Sequence, residues 1–115
     1  MRLLLVVDDW EALEVYETRL GVMFEVHCAA FGSEGVRMAK ELRPDRVLID
    51  LTLEDMTPSE ACQQLRSSPE TRSVPLTLVL NVDEPTPELE GLFPRSGDRV
   101  VQRPYELQKL LNSLK

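Results

Sequence analysis

Basic residues are in the minority in this sequence. Thirteen Lys and Arg stand against 20 Asp and Glu, and the formal net charge is −7. Proteins that bind nucleic acid use Lys and Arg to neutralise phosphates, so an acidic chain is a poor candidate for that role. We expect no direct contact with nucleic acid.

A long hydrophobic run is also missing. The apolar stretch at residues 3–7 ends in Asp8 and Asp9, so it is too short and too acidic for the core of a signal peptide. No other stretch approaches the roughly 20 apolar residues that span a bilayer as a helix. We therefore expect no membrane segment and a cytoplasmic protein.

Cysteine and histidine are scarce, with two Cys and one His in the chain. Cys28 and Cys62 lie far apart, without the Cys-x-x-Cys or Cys/His spacing of redox and metal sites. We expect buried thiols outside any disulfide. His27 is the only His and falls in a predicted strand, so it supports no Ser-His-Asp set.

The sequence does contain a regular alternation of short apolar runs and helical patterns. Its 115 residues, 43% apolar and 29% charged, fit one globular domain over residues 1–115. Strands are predicted at residues 3–7, 24–30, 46–50, 74–80 and 99–102. Helices are predicted at residues 10–20, 33–42, 57–65, 86–93 and 107–114. The predicted N-caps of the second and third helices are Ser33 and Thr57, the latter followed by Pro58.

This order of elements predicts an α/β fold with a doubly wound, five-stranded parallel sheet and five helices covering its two faces. Ligands of such sheets bind beyond the carboxyl ends of the strands. The polar residues at or just past those ends are Asp8, Asp9, Asp50, Asn81 and Arg103. Their convergence is the main functional clue in the sequence.

Three carboxylates brought together repel one another unless a cation joins them. A hard divalent cation that prefers oxygen ligands, above all Mg²⁺, fits this set. One carboxylate could then attack phosphorus to form an acyl phosphate, with Arg103 pairing with the phosphoryl oxygens. The alternative is that these acids only cap helices and solvate loops.

Four short motifs are similar to those of a known family. The run LLVVDD at residues 4–9, PDRVLID at residues 44–50, Val74-Pro75 and Arg103-Pro104 resemble the receiver domain of bacterial response regulators. The resemblance covers essentially the whole chain. It implies a flavodoxin-like (CheY-like) fold with strand order 2-1-3-4-5.

The resemblance also implies a function in two-component signal transduction. Asp50 would accept a phosphoryl group from a sensor histidine kinase or a phosphotransfer protein. Asp9, Asp50 and the backbone carbonyl of Thr52 would bind Mg²⁺, and Asp8 would act through a water molecule. The domain would signal through a partner or an output domain and would not be a conventional enzyme.

Several positions depart from the receiver pattern. Leu80 stands where the fourth strand usually ends in a Ser or Thr whose hydroxyl binds the phosphoryl group. Val100 stands in place of the aromatic residue that moves when the domain switches. Arg103 replaces a Lys, and a planar guanidinium does not act as a compact point charge does. Glu54 and Pro58 replace the Pro and Gly of the loop after Asp50.

Two interpretations follow from these departures. In one, Asp50 is phosphorylated and an altered switch, with Asn81 as an amide donor, produces the output. In the other, the domain is a pseudo-receiver that binds partners without phosphorylation. In both interpretations, the domain could dock a partner or a second copy on the face formed by helix 4, strand 5 and helix 5. That face carries Leu89, Leu92, Phe93, Pro94, Tyr105 and Leu107.

Two other classes, a phosphatase and a flavin-binding protein, fit this sequence less well than a receiver. A phosphatase of the haloacid dehalogenase type needs a second acid two residues after the nucleophile, and Thr52 stands there. A flavodoxin needs a hydroxyl-rich phosphate loop after the first strand, where this chain has Asp8, Asp9 and Trp10.

Overall fold

A five-stranded parallel sheet forms the centre of the structure. The computed structural model describes residues 1–50, 53–81, 91, 93–95, 97–103, 112 and 114. Its strands are β1 (Arg2–Val6), β2 (Glu25–Ala29), β3 (Arg46–Asp50), β4 (Leu76–Asn81) and β5 (Arg99–Arg103). Their order is β2-β1-β3-β4-β5, and each neighbouring pair is parallel. The predicted strand order is confirmed, and strand ends differ from the prediction by one or two residues.

Three helices occur within the described residues: α1 (Trp10–Leu20), α2 (Gly32–Leu42) and α3 (Pro58–Arg66). The predicted helices at residues 86–93 and 107–114 lie almost wholly outside the described residues. Across the part of the chain that is described, no helix combines the length and apolar character needed to cross a membrane.

The side chains of successive residues of β3 pack into two separate hydrophobic clusters. Val47 and Ile49 pack into a cluster with α2 and α3, whereas Leu48 packs into a second cluster with Tyr16 and Leu20 of α1. Side chains alternate between the two faces of a strand, so Asp50 lies on the same face as Leu48. The last residue of β3 is therefore directed to the α1 side of the sheet.

The N-termini of α3 and α2 are capped in two different ways, by a local residue in α3 and by a residue from a distant loop in α2. Thr57 caps α3 as predicted, because its hydroxyl accepts a hydrogen bond of 3.1 Å from the backbone N–H of Glu60. The prediction of Ser33 as the cap of α2 is wrong. The N-cap position is Phe31, whose side chain makes no capping bond, and Asp55 from the loop after β3 accepts from the helix instead. A tertiary contact has replaced a local one.

Neither cysteine is in a disulfide within the described residues. Cys62 is buried, as predicted, but Cys28 is only half-buried. Its Sγ donates a hydrogen bond of 2.8 Å to Glu17. Burial, and then that bond, raise the pKa of the Cys28 thiol to about 12, so the thiol stays protonated at neutral pH.

A buried ion pair lies at the amino edge of the sheet, which is the edge where the strands begin. Arg66 at the end of α3 donates to both carboxylate oxygens of Asp98, at 2.8 and 3.0 Å, and both side chains are almost fully buried. Asp98 also accepts from the backbone N–H of Leu76 and of Arg95, each at 2.8 Å. Arg66 donates further to the carbonyl of Val74 at 2.6 Å. The pair therefore joins α3 to the starts of β4 and β5.

Asp98→Asn should strongly destabilise the domain, because it removes the carboxylate charge with which the buried Arg66 guanidinium pairs. We expect a loss of about 3–5 kcal/mol in the free energy of unfolding, measured by urea denaturation. Glu41→Gln is the control, because it breaks an exposed ion pair with Arg37 (3.7 Å). That loss should stay below about 0.5 kcal/mol. Similar losses in the two variants would contradict a structural role for the buried pair.

Candidate functional site

Strand register brings the predicted site residues to one edge of the sheet. Val6 pairs with Ile49, so Asp8 and Asp9 follow β1 close to the level at which Asp50 ends β3. Asp50 in turn pairs with Val79 of β4. Two residues past Val79, Asn81 pairs with Arg103 at the ends of β4 and β5. The backbone therefore gathers all five positions at the carboxyl edge, as the sequence predicts.

Asp50 is fully buried, with 0% of the residue exposed. The hydroxyl of Tyr16, itself only 3% exposed, donates a hydrogen bond of 3.3 Å to Asp50 Oδ2. A buried carboxylate needs such donors, because burial removes the water that would otherwise solvate it. The sequence predicts no role for Tyr16 beyond its place in the helix over residues 10–20. The signal that could have revealed it is its hydroxyl, since a buried Tyr usually finds a hydrogen-bond partner.

Asp9 is the N-cap of α1. Its Oδ1 accepts hydrogen bonds from the backbone N–H groups of Glu11 at 3.0 Å and Ala12 at 3.4 Å. The residue is exposed, whereas Asp8 is half-buried. The partial positive charge of a helix N-terminus favours a carboxylate in this position. Helix capping, the simple alternative for these acids, thus accounts for one oxygen of Asp9.

The donor chemistry of the predicted magnesium site is suitable, because Asp8, Asp9 and Asp50 all offer hard carboxylate oxygens. Within the described ranges, however, no three Asp, Glu, His or Cys side chains are grouped closely enough to hold a metal ion. Thr52, whose carbonyl belongs to the predicted ligand set, lies outside the described residues. The three acids share an edge of the sheet, and their side chains are not assembled around one point.

The switch positions are apolar where the structure describes them. Leu80, 4% exposed, follows the residue that pairs with Asp50 and brings no hydroxyl to the strand end. Val100 is half-buried and packs against the core cluster on the α2 and α3 side. Pro58 is the first residue of α3, and Glu54 is exposed in the loop before it. The side chains of Asn81 and Arg103 lie outside the described part of the chain.

Asp55 ties the loop after Asp50 to a neighbouring helix, a role that the sequence did not reveal. Its two carboxylate oxygens accept from the backbone N–H groups of Gly32 at 2.7 Å and Ser33 at 3.0 Å. Hydrogen bonds from Ser33 and then from Gly32 lower the pKa of Asp55 below its ordinary value of 3.8. The loop that follows Asp50 is thus anchored to the N-terminus of α2.

Known proteins have the same fold and a similar sequence. No protein-family model matches the chain. Protein PilH of Pseudomonas aeruginosa is 31% identical over an alignment of 120 positions, which covers 99% of this chain and 95% of PilH. A putative response regulator from Chloroflexus aurantiacus has a solved structure with a TM-score of 0.81 and 27% identity, covering 98% of this chain and 96% of that one.

A receiver domain with a bound metal also has the same fold. The receiver domain of the sensor histidine kinase PA1611 from Pseudomonas aeruginosa matches with a TM-score of 0.77 and 22% identity, covering 98% of this chain and 93% of that one. That structure has a magnesium ion coordinated in the active site cleft. Several other curated relatives are longer, and this chain spans only 21% to 47% of their length.

The chain belongs to the response regulator receiver (CheY-like) family, whose members act in bacterial two-component signalling. The edge at which Asp8, Asp9 and Asp50 lie is the carboxyl edge, where ligands of such sheets bind. Receiver domains are signalling domains and not conventional enzymes.

Asp55→Asn should destabilise the domain in a pH-dependent way. The folded-state pKa of Asp55 is lowered, so its charge contributes stability that is present above its unfolded pKa and is lost as the pH falls through the folded value. The Asn variant keeps an acceptor oxygen and lacks the charge. We expect it to be less stable than the wild type at neutral pH, and the difference to shrink below pH 3.8, measured by urea unfolding across a pH series.

Glu54→Gln is the matched control, because it removes an exposed acid one residue earlier in the same loop. Its stability should stay close to that of the wild type at every pH. A difference between Asp55→Asn and the wild type that does not change with pH would show that the charge of Asp55 is not what holds the loop.

Proposed function

We propose that this domain accepts a phosphoryl group on Asp50, with Mg²⁺, from a sensor histidine kinase or a phosphotransfer protein. The observation that carries the proposal is the placement of Asp50 as the buried last residue of β3, at the edge where Asp8 and Asp9 follow β1. Membership of the receiver family supports it, as does the magnesium ion in the PA1611 receiver structure.

The chemistry assigned to Asp50 is nucleophilic. One carboxylate oxygen attacks phosphorus, the bond from phosphorus to the donor breaks, and the leaving group departs with the electron pair of that bond. Asp8, Asp9, Asp50 and the Thr52 carbonyl would hold Mg²⁺, with Asp8 acting through water. When bound, the ion would offset the charge of the phosphoryl oxygens and of the carboxylates. Arg103, at the end of β5, would pair with the phosphoryl oxygens.

Signalling after phosphorylation would use an altered switch. Leu80 is buried at the end of β4 and cannot donate a hydrogen bond to a phosphoryl group, and Val100 has no ring to turn inward. The amide of Asn81, one residue past Leu80, is the donor proposed in its place. The buried Leu80 is also the observation that favours the second candidate, a pseudo-receiver that binds its partners unmodified.

The output would be an interaction with a partner, an output domain or a second copy of the chain. We propose that the domain acts in the cytoplasm. The interaction would use the face formed by helix 4, strand 5 and helix 5. Phe93 is 3% exposed and packs in a core cluster, so it does not contribute to that surface, whereas Pro94 is exposed. Leu89, Leu92, Tyr105 and Leu107 lie outside the described residues.

Acetyl phosphate with Mg²⁺ should add one phosphoryl group to the wild type, because the small phosphodonor needs only the nucleophile and the metal site. Intact mass counts the groups, and the fluorescence of Trp10, the only tryptophan, follows the titration with Mg²⁺. Asp50→Asn should show no gain in mass.

Asp45→Asn controls for the loss of one acid elsewhere. Asp45 is exposed before β3, at the opposite edge of the sheet, and this variant should be phosphorylated like the wild type. A wild type that shows neither a fluorescence response to Mg²⁺ nor a gain in mass would refute the proposal and leave the pseudo-receiver.

A further inference from the structure

Tyr16 makes a polar contact with Asp50 from within an apolar face. It lies in the core cluster beneath α1, among aliphatic neighbours such as Leu5, Val7 and Leu48. A Phe would fill the same space at this position without the cost of burying a hydroxyl. The hydroxyl of Tyr16 instead donates a hydrogen bond to Asp50 Oδ2 at 3.3 Å, between two residues that are both buried.

This contact engages one oxygen of Asp50 and also restricts how the carboxylate can rotate. Tyr16 is held by α1 and by its packing, so the direction of the hydroxyl is set by the fold. The hydrogen bond is stronger when its acceptor is a charged carboxylate than when it is a neutral carbonyl oxygen. It therefore stabilises unmodified Asp50 more than Asp50 carrying an acyl phosphate.

We propose that Tyr16 is a positioning residue that shortens the lifetime of the acyl phosphate on Asp50. This inference rests on the proposed function. In hydrolysis, water attacks phosphorus, the bond between phosphorus and the Asp50 oxygen breaks, and its electron pair returns to the carboxylate. Inorganic phosphate leaves with the oxygen of the water, and the proton of the water passes to solvent. Tyr16 keeps its own proton and stabilises the negative charge that develops on Oδ2.

Tyr16→Phe tests this, because it removes the hydroxyl and keeps the ring. The protein is phosphorylated with acetyl phosphate and Mg²⁺, the donor is removed, and intact mass follows the loss of the phosphoryl group. We expect the phosphorylated variant to persist about three- to tenfold longer than the wild type, as the loss of one hydrogen bond to a developing charge predicts. The rate of phosphorylation is measured separately.

Thr71→Val is the matched control. Thr71 also has a buried hydroxyl that donates a hydrogen bond, to the carbonyl of Leu65 at 2.6 Å, in the segment between α3 and β4. Its loss should lower the stability in urea and leave the lifetime of the acyl phosphate unchanged. A purely structural role for Tyr16 would give the same result in Tyr16→Phe, and that result would overturn the proposal.

A second measurement keeps the hydroxyl at position 16 in place, in case Tyr16→Phe fails to fold. The chain has two tyrosines, so Tyr105→Phe allows 3-fluorotyrosine to be incorporated at position 16 alone. Fluorine makes the hydroxyl a stronger donor, and the lifetime should fall below that of Tyr105→Phe with ordinary tyrosine. An equal or longer lifetime contradicts the inference.

A wild type that is never phosphorylated refutes the proposed function, and this inference with it. Unchanged lifetimes in a protein that is phosphorylated refute the inference alone.

Discussion

Burial of the sheet on both faces is the constraint that places every polar group of functional interest. The core strands β1 and β3 are covered by α1 on one face and by α2 and α3 on the other. Neither face offers water to a charged side chain, so such groups are found at the two edges, where strands end. Arg66 and Asp98 lie at the amino edge and Asp50 at the carboxyl edge.

Buried charge is compensated differently at the two edges of the sheet. At the amino edge, the guanidinium of Arg66 and the carboxylate of Asp98 neutralise each other and are further bonded to the main chain near β4 and β5. That arrangement neutralises charge within the chain, and loss of either partner would leave the other as an uncompensated buried charge. At the carboxyl edge, acids follow or end two neighbouring strands, and like charges on both favour a cation as the partner. The same sheet thus carries a neutralised pair at one edge and the proposed phosphorylation site at the other.

Loops around Asp50 are fixed by the amide groups at helix N-termini. Asp9 accepts from the first turn of α1, and Asp55 accepts from the first turn of α2. Each contact uses an acid close to the proposed site to satisfy backbone donors that have no partner inside the helix. Tyr16 adds a third restraint, from the side of α1 that faces the core. The surroundings of Asp50 are therefore held by hydrogen bonds from two helices, whereas the side chain of the buried Leu80 cannot form one.

The sequence by itself determined the parallel sheet, the strand order through its resemblance to receivers, and the edge at which Asp8, Asp9 and Asp50 lie. Apolar runs, helix periodicity and the Thr57 cap are local signals that do not depend on the rest of the fold. Only the tertiary structure decided that Asp55 caps α2 in place of Ser33, that Tyr16 reaches Asp50, and that Arg66 pairs with Asp98. These contacts join residues 23, 34 and 32 positions apart. Sequence periodicity has no information about such pairs, because they exist only after helices pack on the sheet and strands align in register.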